Sequence, residues 1–216
     1  PDNFITVTGQ LGLRKAMEKT APGFFPLRSG FTTGTCATAA SKAALMALLT
    51  GKEQNSSTIS LPSGECITLP VIQTDVRNNS ATCSVVKDAG DDPDVTNGCT
   101  INATVAYSKQ TGIQFLAGKG VGKVTLPGLG LEIGGPAINA TPRKMITNEL
   151  TSLYSGGLSI TISVPEGETI AKRTFNPKLG VVGGISIIGT SGIVKPFSSE
   201  AFIRSIRKEI EVAKAL

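Results

Sequence analysis

The chain has 216 residues, 40% hydrophobic and 17% charged, with a net charge of +5 and no histidine. This composition fits a globular chain with a sizeable core and excludes an intrinsically disordered one, and no apolar run is long enough to span a membrane as a helix. Without histidine there is no Ser-His-Asp triad, no Cys-His pair and no His-based metal site, so any proton transfer falls to Asp, Glu, Lys, Tyr or Cys.

Residues 1–10 carry no basic region followed by an apolar block, so no signal peptide is expected. If the chain is complete, it is expected to be cytoplasmic. Residues 13–19 suggest a short helix ended before Pro22. The next stretch, residues 27–44 (LRSGFTTGTCATAASKAA), organises the rest. A loop of Gly, Ser and Thr turns there into an alanine-rich helix, expected over residues 36–49 and capped by Gly51. Two readings stand side by side. One is a Thr-capped helix whose alanines pack tightly against a sheet. The other is an anion-receiving helix start, with Arg28, Thr32, Thr33, Gly34 and Thr35 around free backbone amides. It has neither the lysine nor the spacing of a Walker A loop. A loose likeness to the small-residue helix start of GHMP kinases supplies the alternative function, a phosphate- or nucleotide-binding enzyme.

Residues 52–57 are expected to form a polar loop. Residues 66–76, 81–87 and 100–107 are rich in β-branched residues and alternate in character, as strands do. Arg77-Asn78-Asn79-Ser80 is a turn between the first two. The acidic loop at residues 87–98 (KDAGDDPDVTNG) places Asp88, Asp91, Asp92 and Asp94 close together. Such carboxylates repel one another unless hydrogen bonds, a cation or raised pKa values offset the repulsion. The spacing misses the EF-hand pattern. What remains is a solvated Asx turn, or a proton acceptor or counter-ion for a cationic cofactor.

Residues 113–116 and 122–126 are expected as strands around Gly118-Lys119-Gly120-Val121-Gly122, read as a hairpin turn. The Rossmann fingerprint requires strand, glycines and then helix, and here strand follows. Thr141 and Pro142 mark a helix start, with Thr141 at the cap. Residues 158–164 alternate without a fault and read as strand. A short helix is expected over residues 167–172. Residues 179–188 form an apolar run broken by Gly183-Gly184, and Gly189-Thr190-Ser191-Gly192 could hold an anion in a backbone nest. Ser198 caps a final helix with Ile203, Ile206, Ile210 and Ala213 on one face. The four cysteines lack C-x-x-C spacing, so no zinc site is expected. The low aromatic content places nucleic acid behind a small-molecule anion as the partner of the positive charge. Helices interspersed without strict β-α-β alternation predict an α+β fold with a mixed, largely antiparallel, non-Rossmann sheet.

Five stretches in order carry a resemblance: residues 27–44, 87–98, 118–130 (GKGVGKVTLPGLG), 134–146 (GGPAINATPRKMI) and 171–197 (AKRTFNPKLGVVGGISIIGTSGIVKPF). Together they resemble the CbiD family, the cobalt-precorrin-5B (C1)-methyltransferases of anaerobic cobalamin synthesis. The resemblance implies methyl transfer from S-adenosylmethionine to C-1 of a cobalt-bound tetrapyrrole, giving cobalt-precorrin-6A. Cobalt enters only as part of that substrate, and no protein metal site, nucleic acid or membrane partner is implied. The acids Asp88, Asp91, Asp92 and Asp94 are then candidates to neutralise the sulfonium or to take the released proton. Asn139, Arg143, Asn176, Gly183, Gly184, Thr190 and Ser191 join the residues of the first helix start as candidates for substrate or cofactor binding. Arg28, Lys42, Arg143 and Lys144 are candidates for substrate carboxylates. Family members often carry His where Asn97 stands and Asn-Pro where Asn139-Ala140 stands. They also continue past the final helix, which implies a CbiD-like domain over residues 1–197 and a helix at 198–216 leading toward a further region.

Overall fold

The structure is a computed structural model in which residues 26–215 are described. The short helix expected over residues 13–19 lies outside them. A two-residue strand, β1 (Gly30–Phe31), leads into α1 (Thr33–Thr50). Thr32 is its N-cap, and Gly51 ends it in the left-handed region, donating to Ala47 O at 2.8 Å. Alanine has the highest helix propensity, and its small side chain lets neighbours approach closely. Both properties are needed, because α1 is buried on nearly every side.

The chain continues through β2 (Ser56–Ser60), β3 (Cys66–Pro70), β4 (Gln73–Arg77), β5 (Ser80–Val86) and β6 (Thr100–Tyr107). Next come β7 (Ile113–Ala117), β8 (Gly120–Val121), β9 (Lys123–Val124), α2 (Ala140–Thr151), β10 (Leu158–Ser163) and α3 (Gly167–Ala171). A 3-10 turn (Asn176–Leu179), β11 (Val181–Val182), β12 (Gly184–Ile185), β13 (Ile193–Val194) and α4 (Ser199–Ala215) complete it.

The main sheet has the order β4-β5-β6-β10-β7 and is antiparallel except for the β10–β7 pair. Strict alternation puts Ala81, Cys83 and Val85 on one face with Ile101, Ala103, Val105, Leu158, Ile160 and Ile162, all buried. The helix α1 covers this face, and α2 packs on α1. Each large side chain buried there contributes about 1.5–3 kcal/mol. The other face carries hydroxyls, with Thr82 and Thr104 Oγ1 2.8 Å apart. The fold is therefore mixed α+β, mostly antiparallel and not a Rossmann sheet.

Four local expectations are corrected. The strand expected over 66–76 is two strands, because Pro70 has no amide to extend the β2–β3 ladder. The polar loop expected over 52–57 runs into β2. The cap of α2 is Asn139, two residues before Thr141. Residues 118–122 do not form a hairpin turn: β8 pairs in parallel with β12, and β9 pairs antiparallel with β11. The glycines serve that close approach. A Cβ on Gly184 would lie 2.2 Å from Gly120 O, which no side chain tolerates.

Candidate functional site

The start of α1 faces protein. Gly34 N donates to Ile188 O at 2.9 Å, Thr35 N to Thr32 Oγ1 at 3.2 Å and Cys36 N to Thr32 O at 3.1 Å. Thr33 Oγ1 accepts from Ile188 N at 2.9 Å, and Thr35 Oγ1 donates to Gly192 O at 2.6 Å. Thr33, Gly34 and Thr35 are all buried. A Cβ on Gly34 would lie 2.6 Å from Pro142 Cγ. Of the first four amides, Gly34 N goes to the 188–192 loop and Thr35 N and Cys36 N go to Thr32, which leaves Thr33 N alone without an acceptor among the described residues, so the expectation of a set of free amides here does not hold. The phosphate-binding alternative loses its principal support with it.

The acidic loop is a brace. The Arg28 guanidinium pairs with both oxygens of Asp88, and Arg28 N donates to Asp91 Oδ2 at 2.6 Å. Phe31 N donates to Asp88 O at 2.7 Å and Asp91 N to Arg28 O at 2.9 Å, tying the loop to the strand before α1. Asp92 Oδ1 accepts from Phe197 N at 3.0 Å. The Lys87 ammonium, whose side chain is 1% exposed, donates to Asp94 Oδ2 at 2.8 Å, and Thr96 donates to Asp94 Oδ1 from both N and Oγ1. Asn97 Oδ1 accepts from Ala89 N at 2.8 Å, so this carboxamide caps the loop. The hydrogen bond from Arg28 holds Asp88 below the usual carboxylate range. Burial pushes Asp94 up, but the hydrogen bonds from Lys87 and Thr96 outweigh it and leave Asp94 low. Both acids are therefore standing anions at neutral pH. Among the described residues, no three His, Cys, Asp or Glu side chains converge as metal ligands would. Burial pushes the Cys36 thiol up to about 12 and Cys99 to about 11, which makes both unreactive packing residues.

The start of α2 differs. Asn139 makes no side-chain cap bond and is only half-buried. The amides of Ala140 and Thr141 meet no acceptor among the described residues, and Pro142 has none to offer. This turn sits beside the 186–188 segment, because Asn139 N donates to Ile187 O at 3.0 Å and Ile187 N to Ala137 O at 2.8 Å. Ser186 Oγ donates to Asn176 Oδ1 at 3.2 Å, and Asn176 Nδ2 lies 3.4 Å from Gly184 O. Sequence reasoning missed Ser186, whose only signal was one hydroxyl inside a glycine and isoleucine run. Gly183 is exposed, with φ of 82° and open space around its Cα. Thr190 Oγ1 accepts from Arg204 at 2.7 Å, and Ser191 Oγ donates to Ile193 O at 3.1 Å, so this pair closes its own loop.

Three of the four expected cations have internal partners. Arg28 holds Asp88. Lys42 donates to Glu149 Oε2 at 2.7 Å and to Thr58 O at 2.6 Å, while Glu149 Oε1 accepts from Ser60 N at 2.6 Å. The Arg143 guanidinium donates to Ile138 O and Pro136 O and lies 5.1 Å from the Phe115 ring centroid. It fixes the loop that delivers Asn139. Lys144 is exposed.

The CbiD family profile matches residues 20–196. The chain belongs to the CbiD family. It is 52% identical over 192 residues to a cobalt-precorrin-5B C(1)-methyltransferase of Salinispora arenicola, a match covering 88% of this chain and 50% of that one. A Pseudomonas entomophila protein of the same name is 48% identical over 201 residues, covering 91% of this chain and 55% of that one. The chain thus spans about half the length of the curated relatives it matches. The crystal structure of a cobalamin biosynthesis protein, cbiD, from Archaeoglobus fulgidus superposes with a TM-score of 0.60 at 34% identity, covering 84% of this chain and 59% of that one.

Proposed function

We propose that this chain takes part in methyl transfer from S-adenosylmethionine to C-1 of cobalt-precorrin-5B, giving cobalt-precorrin-6A. The observation that carries this reading is the 48% and 52% identity to relatives of that name across 91% and 88% of the chain. Cobalt belongs to the substrate.

Bound S-adenosylmethionine supplies an electrophilic methyl group. The chain's own contribution is positioning and charge. Alignment of two reactants is worth about 7–11 kcal/mol in favourable cases, and it needs no histidine. A carboxylate, of the substrate or of the methionine part of the co-substrate, fits the open amides of Ala140 and Thr141 and the Asn139 carboxamide. Asn176 and Ser186, bonded to each other next to Ile187, which pairs with Ala137 and Asn139, are further candidates, and the exposed Lys144 offers a further cation. Gly183, exposed and with open space where a side chain would stand, lets a ligand approach its backbone, whereas Gly184 packs on Gly120. The ionised acidic loop supplies a fixed negative field near the α1 start. Asp88 is already paired with Arg28 and Asp94 with Lys87, so their part is to hold that fixed charge in place. Asp91 and Asp92 remain candidates to take the proton that the substrate releases in the reaction. Thr32, Thr33, Gly34 and Thr35 hold the 188–192 loop, which carries Thr190 and Ser191.

Calorimetric titration of S-adenosylhomocysteine into this chain and into the intact Salinispora arenicola relative tests the reading. Binding to the relative, weakened about tenfold or more by removing the residue aligned with Asn139, is expected. No binding to the intact relative would contradict it.

A further inference from the structure

The last helix is turned the wrong way for a self-sufficient domain. Its inward residues are Ser205, Lys208, Glu209 and Val212, and only Val212 is fully buried, at 2% exposure. Its large apolar side chains point outward: Phe202 is 64% exposed, Ile203 49%, Ile206 42% and Ile210 48%. Their spacing, 203, 206 and 210 with Phe202 beside them, makes one continuous stripe on a helix surface. The orientation is anchored. Val212 sits on Gly128, where a Cβ would lie 2.7 Å from Val212 Cα, and Arg204 donates to Thr190 Oγ1 at 2.7 Å. Rotating α4 to bury the stripe would break both contacts. Among the described residues, nothing covers it, although a folded monomer seldom leaves such a patch in water.

We propose that this stripe is the docking face for the part of the polypeptide that the curated relatives possess and this chain does not span. Two observations select this occupant. The relatives are about twice as long as the matched region, so they carry a second mass of comparable size covalently tethered to this fold. And α4 begins at Ser199, just past residue 196, where the family profile's match ends, so the stripe stands at the edge of the shared region. A tethered partner needs little intrinsic affinity, because covalent linkage raises its effective concentration. A helix with apolar anchors at these intervals is a standard form for groove binding. The flanking charges are mixed, with Glu200, Glu209 and Glu211 among Arg204, Arg207, Lys208 and Lys214, which does not favour an anionic lipid surface.

Hydroxyl-radical footprinting read by mass spectrometry tests this on two proteins as they exist, this chain and the intact Pseudomonas entomophila relative. The expected result is strong labelling of Phe202, Ile203, Ile206 and Ile210 in this chain and about fivefold weaker labelling of the aligned helix in the relative. Equal labelling in both overturns the proposal. So does protection in this chain that rises with concentration alongside a dimer in sedimentation, which would make a second copy the occupant. Protection by vesicles of phosphatidylcholine and phosphatidylserine would assign the stripe to a membrane and overturn it equally. The double variant I206K/I210K should keep the melting temperature of the isolated chain, since neither side chain is packed, and should abolish binding of an apolar dye. A large fall in melting temperature would show that the stripe is part of this domain's own core.

Discussion

The two helix starts that meet at Gly34 and Pro142 have opposite characters. The start of α1 has the textual marks of a ligand site, with paired glycines and repeated threonines. It is largely closed, because a carbonyl of the 188–192 loop and the Thr32 cap take up the amides of Gly34, Thr35 and Cys36. The start of α2 has plainer chemistry, yet it keeps two amides and an unpaired cap residue at a half-exposed position. The comparison teaches that a helix start binds what its neighbours leave it, and that hydroxyls in a motif can serve the protein as readily as a ligand.

That contrast can be broken from the α1 side first. Lys87 anchors the loop that braces the closed start, and removing it leaves the partly buried Asp94 carboxylate without its cation. Lys87→Met should cost about 3 kcal/mol or more in chemical denaturation. Gly34→Ala forces a methyl group onto Pro142 and Ile188 O and should cost about 1–3 kcal/mol by the same measurement. A smaller step sharpens the comparison directly. Thr32→Ala removes a real cap and should cost about 1 kcal/mol, whereas Asn139→Ala removes none and should stay within about 0.5 kcal/mol. Equal losses would erase the distinction between the two starts.

Acid should act on the brace as well. The folded pKa of Asp94 is depressed, so the stability it contributes is present above its unfolded value of about 3.9 and is lost as pH falls through the lower folded value. Asp94→Asn should flatten the fall in stability below about pH 4, read from unfolding midpoints across pH. A profile identical to wild type would show that Lys87 and Thr96 do not hold this carboxylate in its ionised form.

Much of the fold was legible because it rests on period. The alternation in residues 100–107 and 158–163 and the alanine run of α1 identify two central strands and the helix that covers them. The short strands β8, β9, β11 and β12 were not legible as pairs. Two residues carry no period, and their partners lie about sixty positions away in the chain. The site was harder still. The sequence singles out residue types at 28–35, 88–94 and 139–143, but whether a threonine or an arginine there faces solvent or protein depends on long-range neighbours. Arg28 and Asp88 are 60 positions apart, Thr33 and Ile188 155. Lys87 carried a readable signal, a lysine ending an apolar strand just before four acids, that points to an internal ion pair.

The central claim is that α2, not α1, opens toward the ligand, and amide exchange observed by NMR tests it most directly. Without ligand, the amides of Gly34 and Thr35 should exchange slowly and those of Ala140 and Thr141 quickly. Saturating S-adenosylhomocysteine or a carboxylate-bearing tetrapyrrole should slow Ala140 and Thr141 and leave Gly34 and Thr35 unchanged. Slowing confined to Gly34 and Thr35, with Ala140 and Thr141 still fast, would contradict the account.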